Sequence, residues 1–309
     1  MDGLNVCVGI DAGSYESKLA YSDALSTRII ARLEGFDLAA LREESEAFFD
    51  EPVFSCVVAR DAGVRADGTG FSEVEVITQS EAVILGLDGE GEQRKSVVYD
   101  LGESACRMYV VNGHELKDSA RIDDVCGKVI DMNFAEYLAE RYGFSAGDSN
   151  VLHEAGRIKH SLTENEVTSW YERKIYRYEL ERLIHFPVKR TARVLNRLVR
   201  VHKPEVVILT GGSVKIPEVR KVIAGVLGIT PEYRGNLIAE GAAARAREIQ
   251  RDNVKAKRPD TASKLRELRA GMLELEEKLT RRQKDRVYAM FRQAEGINDA
   301  GIIALMENM

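Results

Sequence analysis

The apolar run Val6-Cys7-Val8-Gly9-Ile10 meets Asp11, turns through Gly13 and returns as Lys18-Leu19-Ala20-Tyr21. This pattern predicts a strand at residues 5–10, a tight glycine turn and a second strand at 17–21. A third strand follows at 27–33. Leu38, Leu41 and Phe48 share one side of a helix predicted over 36–49. Residues 52–59 are continuously apolar, as expected of a buried parallel strand. Residues 60–70 form a glycine-rich turn region, followed by a short strand at 74–78 and a helix through Ala82-Val83-Ile84-Leu85. Gly89-Glu90-Gly91-Glu92 breaks that pattern.

The opening motif then repeats. Val97-Val98-Tyr99-Asp100-Leu101-Gly102-Glu103-Ser104 is again an apolar strand, an Asp, one spacer and a Gly. Strands at 106–111 and 115–121 follow it. The two aspartates stand 89 positions apart. Such an internal repeat predicts two similar lobes, each presenting an Asp-x-Gly hairpin to a shared cleft. Helices are predicted at 125–142, 151–162 and 176–201, the last kinked or split at Pro187. A buried strand at 205–209 runs into Thr210-Gly211-Gly212-Ser213, and Pro217 opens a helix over 218–227. A small-residue helix at 237–250, with Gly241-Ala242-Ala243-Ala244, can bring its backbone close to a neighbour. In the tail, Leu265, Leu268, Met272, Leu275 and Leu279 recur at 3-4 spacing, an a/d seam about two heptads long. That seam either docks on its own domain or serves a partner.

Composition adds bounds. A chain of 309 residues has room for two domains, and 44% hydrophobic with 30% charged residues describes a globular protein. A formal net charge of -6 gives no reason to expect nucleic-acid binding. Cys7, Cys56, Cys106 and Cys126 form no C-x-x-C pair and read as buried free thiols in a reducing compartment. The early first strand leaves no room for a leader, and no run approaches a membrane span, so a cytoplasmic location is expected.

Several blocks now lie in one order. Gly9-Ile10-Asp11-Ala12-Gly13-Ser14 resembles the first phosphate loop of the ATPase superfamily that contains actin, sugar kinases and the seventy-kilodalton heat-shock chaperones. Tyr99-Asp100-Leu101-Gly102-Glu103-Ser104 resembles its second phosphate loop. Leu209-Thr210-Gly211-Gly212-Ser213-Val214-Lys215-Ile216-Pro217 is very similar to the adenosine loop of the chaperone branch. Val125 to Asp131 looks like the glycine-led turn of that branch's second lobe. Arg157 to Leu162 resembles the helix whose basic residues lie along the adenine. The matches span residues 5–250.

The resemblance implies an α/β protein with two similar lobes of the ribonuclease-H-like actin fold around a nucleotide cleft, plus a helical C-terminal tail. Lobe I would span 1–95, lobe II 96–236, a connecting helix 237–252 and the tail 260–309. It implies ATP or ADP with Mg²⁺ as ligand. Gly13, Ser14 and Tyr15 would offer backbone donors to the phosphates from one wall, and Gly102 and Ser104 from the other. Asp11 and Asp100 would bracket a hydrated Mg²⁺. Gly211, Gly212 and Ser213 would lie against ribose and base, Lys159 and Lys215 on either side of the adenine, with His160 and Gly127 nearby.

The departures bear on function. Glu103 stands where the family has a glycine; it either impairs hydrolysis or orients the attacking water. Lobe I is too short for the chaperones' helical insertion, and no counterpart of their γ-phosphate lysine is found. Glu81 is the chemical candidate for the family's catalytic glutamate, although Gln79 fits the spacing better. Cys126 replaces a glycine and reads as a buried thiol. The 59 residues after 250 carry no strand pattern of a peptide-binding domain. These features favour a nucleotide-dependent switch with slow hydrolysis, acting on an unnamed protein partner through the tail. A filament-forming actin-like protein and a non-hydrolysing scaffold are the alternatives. A small-molecule kinase and an iron–sulfur dehydratase activator rank lower, for want of a substrate base and of suitably placed cysteines.

Overall fold

The computed structural model describes residues 6–257, apart from 14, 24–25, 51, 54, 61–69, 89–93 and 144–148. The chain divides into two units, Met1–Gln250 and Arg251–Met309. Of the second, only the end of a helix is described, so the heptad seam at 265–279 lies outside the described residues, as do the first residues of the predicted opening strand and most of the turn region at 60–70.

Two five-stranded sheets are built to one plan. In lobe I, β1 (Cys7–Asp11), β2 (Glu16–Ser22), β3 (Thr27–Glu34), β4 (Ser55–Ala59) and β5 (Glu73–Ile77) lie in the order β3-β2-β1-β4-β5. In lobe II, β6 (Ser96–Leu101), β7 (Cys106–Asn112), β8 (Glu115–Ile122), β11 (Val206–Thr210) and β12 (Glu232–Tyr233) lie in the equivalent order β8-β7-β6-β11-β12. In each sheet the first three strands form an antiparallel meander and the last two join parallel to the central strand. These are the two similar lobes that the repeat predicts, on the ribonuclease-H-like plan that the resemblance implies. All five residues of β1 and all six of β6 are buried, as central strands covered on both faces require.

The helices include α1 (Leu38–Phe49), α2 (Gln79–Asp88), α3 (Gly127–Tyr142), α4 (Ser149–Glu164), α5 (Arg177–His202), α6 (Pro217–Leu227) and α7 (Leu237–Lys257). Asp37 caps α1 by accepting hydrogen bonds from the N–H groups of Ala39 and Ala40, which starts the helix two residues later than its apolar pattern does. Pro187 does not split α5: the helix runs unbroken for 26 residues, held along a face of Leu180, Ile184, Val188, Ala192 and Leu195. Between α4 and α5 lies a hairpin, β9 (Val167–Trp170) and β10 (Arg173–Tyr176), that the sequence reading missed. Tyr171 and Glu172 at its tip both take positive φ, 44° and 62°, without the Gly or Asn that advertises such a turn.

Successive residues of the central strands face different cores. Val8 and Ile10 pack under α1, while Cys7 joins Val98, Ile208, Leu237 and Ala242 in a core between the two sheets. Into this middle core come α2 and α7, each following the last strand of its sheet. They touch backbone to backbone: a Cβ on Gly241 would lie 1.7 Å from the carbonyl oxygen of Ala82, and one on Gly86 would lie 2.4 Å from that of Leu237. A Cβ on Gly9 would meet the Ala243 nitrogen at 2.1 Å. The close approach expected of the small-residue helix is thus present on two sides. All four cysteines are free and buried, and burial pushes the Cys7 thiol up to about 11 and Cys106 up to about 12, so both stay protonated at neutral pH.

Gly241→Val must force α7 off α2, and the expected cost is about 2 kcal/mol or more, read as a fall of several degrees in Tm. Gly225→Ala, in α6 where a Cβ meets nothing within 4 Å, is expected to leave Tm unchanged or raise it through helix propensity. Equal melting of the two variants would refute the backbone contact.

Candidate functional site

Asp11 closes β1, and Asp100 stands one residue before the end of β6. Strand register makes the two positions equivalent. Asp11 pairs with Lys18 on β2 and Ala59 on β4; Asp100 pairs with Arg107 on β7 and Thr210 on β11. Between these strand ends lies a cavity of about 340 Å³. Lobe I lines it with Asp11, Gly13, Tyr15, Lys18 and Gln79, and lobe II with Asp100, Gly102, Glu103, Ser104 and Arg107. Lys159, His160, Gly211, Gly212, Ser213 and Lys215 complete the second wall. The volume falls in the range of small-molecule and cofactor sites.

The loop after β6 is fixed from behind by α3. The N–H of Gly127 donates to the Gly102 carbonyl at 2.8 Å, and that of Lys128 donates to the Glu103 carbonyl at 2.9 Å. Gly127 is therefore spent on the loop, and it does not line the cavity. Its missing Cβ leaves space for Glu103, whose Oε2 would stand 2.3 Å from it. After β11 the chain turns through Gly211 at φ +94°, where a Cβ would lie 2.5 Å from Asp100 Oδ1; only glycine combines that backbone with that neighbour. Gly212 begins a 3₁₀ turn, Gly212–Lys215, with nothing within 4 Å of its own Cβ position. Pro217 follows at the first turn of α6, as its fixed φ favours.

The ionisable groups are tightly interlocked. Lys18 Nζ lies 3.3 Å from Asp11 Oδ2 and donates to the Gly235 carbonyl at 3.0 Å, and both side chains of the ion pair are buried. Lys159 donates to Asp131 Oδ2 at 2.8 Å, while the buried Oδ1 of Asp131 has no hydrogen-bond partner. Burial raises both carboxyls, Asp131 and Glu103, above their ordinary values, and Lys159 pulls each part of the way back. His160 is lowered by burial and by the nearby Lys215 and Lys159, which favours neutral imidazole. Its ring stacks on Tyr15 of lobe I at 5.1 Å, with 20° between the planes. Lys159 Nζ lies 5.9 Å from the same Tyr15 ring. This stack joins the lobes directly.

Most of the residues singled out in the sequence thus meet at one cavity. Glu81 does not line it: its carboxylate accepts from the N–H and the hydroxyl of Thr78, at 2.6 and 2.8 Å, and so caps the start of α2. Gln79, two residues earlier, takes the lining position. Ser14 lies outside the described residues. Lys18 and Arg107 were missed, although the signal was present: a basic residue stands seven positions after each aspartate.

A hydrated Mg²⁺ between Asp11 and Asp100 does not fit this donor set well. Directly opposed residues of an antiparallel pair share one face of the sheet: Lys18 is ion-paired with Asp11, and the buried Arg107 stands opposite Asp100. Among the described residues, no helix is long and apolar enough to cross a membrane.

No protein-family model matches the chain. Among curated proteins, it is 27% identical over 263 residues to the chaperone protein HscA of Yersinia enterocolitica, covering 77% of this chain and 40% of that protein. It is 24% identical over 266 residues to the mitochondrial-type heat shock protein 70 of Encephalitozoon hellem, covering 69% of this chain and 44% of that one. With HscA of Klebsiella pneumoniae it shares 30% identity over 202 residues, 58% of this chain and 32% of that protein. The chain spans less than half the length of the curated relatives it matches.

Because the raised Glu103 carboxyl holds its proton more firmly in the native state, its stabilising effect is full below the ordinary value of 4.5 and is lost as pH rises through the raised one. Glu103→Gln is therefore expected to raise Tm at neutral pH, and the gain should vanish below about pH 4. Melting curves across that range check it; a gain that persisted in acid would place the effect in packing instead.

Proposed function

From a chain that is a distant relative of the Hsp70 and HscA chaperones and carries the two-lobed fold of actin-like ATPases, we propose an ATP- and ADP-binding conformational switch. The observation that carries this reading is the pair of equivalent strand ends, Asp11 and Asp100, facing one cavity that both lobes line. Backbone N–H groups around Gly13 and Gly102 suit the phosphates, and the open face of Gly212 with Lys215 suits the nucleoside. A ligand that touches both walls favours the closed arrangement of the lobes.

The switch has a modest internal latch. Opening the cleft breaks the Tyr15–His160 stack, a contact worth on the order of 1 kcal/mol, so the binding free energy of a nucleotide suffices to move the balance. Hydrolysis is slow in this reading. Glu81 is committed to capping α2, and an amide at Gln79 cannot take a proton from water. The output is the state of the cleft, passed to a protein partner through the segment that follows α7.

Melting with and without nucleotide tests the reading. A bound nucleotide at a hundredfold excess over Kd stabilises by about 2.7 kcal/mol, a rise of roughly 5 °C or more in Tm. Gly212→Leu fills the open face and is expected to leave the free protein's Tm unchanged while removing the shift. A shift retained in that variant would put the nucleotide elsewhere, and rapid phosphate release in the same samples would contradict the switch.

A further inference from the structure

The internal repeat has duplicated a charge arrangement as well as a fold. On each returning strand, directly opposite the strand-end aspartate, stands a buried base: Lys18 in lobe I and Arg107 in lobe II. Both line the cavity. Two of the three donors of the Lys18 ammonium are engaged, by Asp11 and by the Gly235 carbonyl, which leaves one for a ligand oxygen. Arg107 presents a planar guanidinium fork, the geometry that matches phosphate oxygens in pairs.

The wider lining points the same way. The protein as a whole is acidic, with a net charge of -6, yet the cavity is lined by six Lys or Arg side chains against four carboxylates. Four of these bases, Lys18, Arg60, Arg107 and Arg121, belong to or border the strand ends rather than the adenosine loop. A metal-free nucleoside diphosphate carries about three negative charges, and buried cations of this kind are the standard counter-charge for phosphate oxygens. A divalent ion placed between Asp11 and Asp100 would instead enter a region where both carboxylates already have a positive neighbour.

Resting on the nucleotide reading above, we propose that Lys18 and Arg107 are the built-in counterions of the phosphates, so that this site binds ADP without a divalent cation. The aspartates then hold the two bases in position and are not metal ligands.

Isothermal titration of the full chain with ADP and with adenosine, in excess MgCl₂ and again in EDTA, tests this. The ADP affinities in the two buffers are expected to agree within about threefold. Lys18→Met and Arg107→Met are each expected to weaken ADP in EDTA by about tenfold or more while leaving adenosine binding, which reports an intact fold, unchanged. A larger loss of wild-type ADP affinity in EDTA overturns the inference and leaves the nucleotide site standing. Loss of adenosine along with ADP in both methionine variants is resolved by the charge-preserving Lys18→Arg and Arg107→Lys, which are expected to keep ADP binding in EDTA and overturn the inference if both abolish it while adenosine still binds. Absence of ADP and adenosine binding in both buffers overturns the nucleotide reading and the inference together.

Discussion

Backbone touching backbone is the constraint from which the rest of this molecule follows. Gly86 and Gly241 let α2 and α7 cross without side chains between them, and Gly9 lets β1 lie against α7 in the same way. Each helix follows the last strand of its own sheet, so the crossing ties the two lobes at their base. Close-packed contacts of this kind tolerate little deformation. The cavity opens where the strands terminate, beside the first turns of both helices, which line it through Gln79 and Ile238.

That geometry places like chemistry on like chemistry. Two sheets of one strand order, joined at the base, bring equivalent strand ends to face each other, and with them Asp11 and Asp100. Two bare carboxylates would repel a phosphate. The opposed Lys18 and Arg107 offset those two charges, and the wider lining adds an excess of bases in a protein whose total charge is negative. Asp131 plays a related part for Lys159, fixing its ammonium at 2.8 Å while leaving the Lys159 stem beside Tyr15 and His160. The site is organised as bases set beside acids, with Asp11 and Asp100 on the cavity wall and Asp131 behind it.

Much of the fold was legible because its signals are repeated or glycine-marked. The strand–Asp–x–Gly motif occurs twice, and the Gly211-Gly212 turn follows a buried strand, so sheet plan and cleft were readable from spacing. The parts that were not legible have physical reasons. The β9–β10 hairpin turns on Tyr171 and Glu172, residues that ordinarily avoid positive φ, and β12 is only two residues long. Pro187 sits in a helix whose packed face outweighs one lost hydrogen bond. Gly127 reads as a ligand glycine but gives its N–H to the Gly102 carbonyl, and Glu81 reads as an acid over the cleft but caps its helix. Lys18 and Arg107 went unnoticed because a base in a returning strand looks solvent-facing until the register shows what lies opposite.

The central claim is that one ligand engages both lobes at the strand ends. Hydrogen–deuterium exchange with and without ADP measures this most directly. ADP is expected to slow exchange together in residues 11–18, 100–107 and 210–216, with the α2–α7 crossing unchanged. Protection confined to one lobe, or none at these three segments, would contradict it.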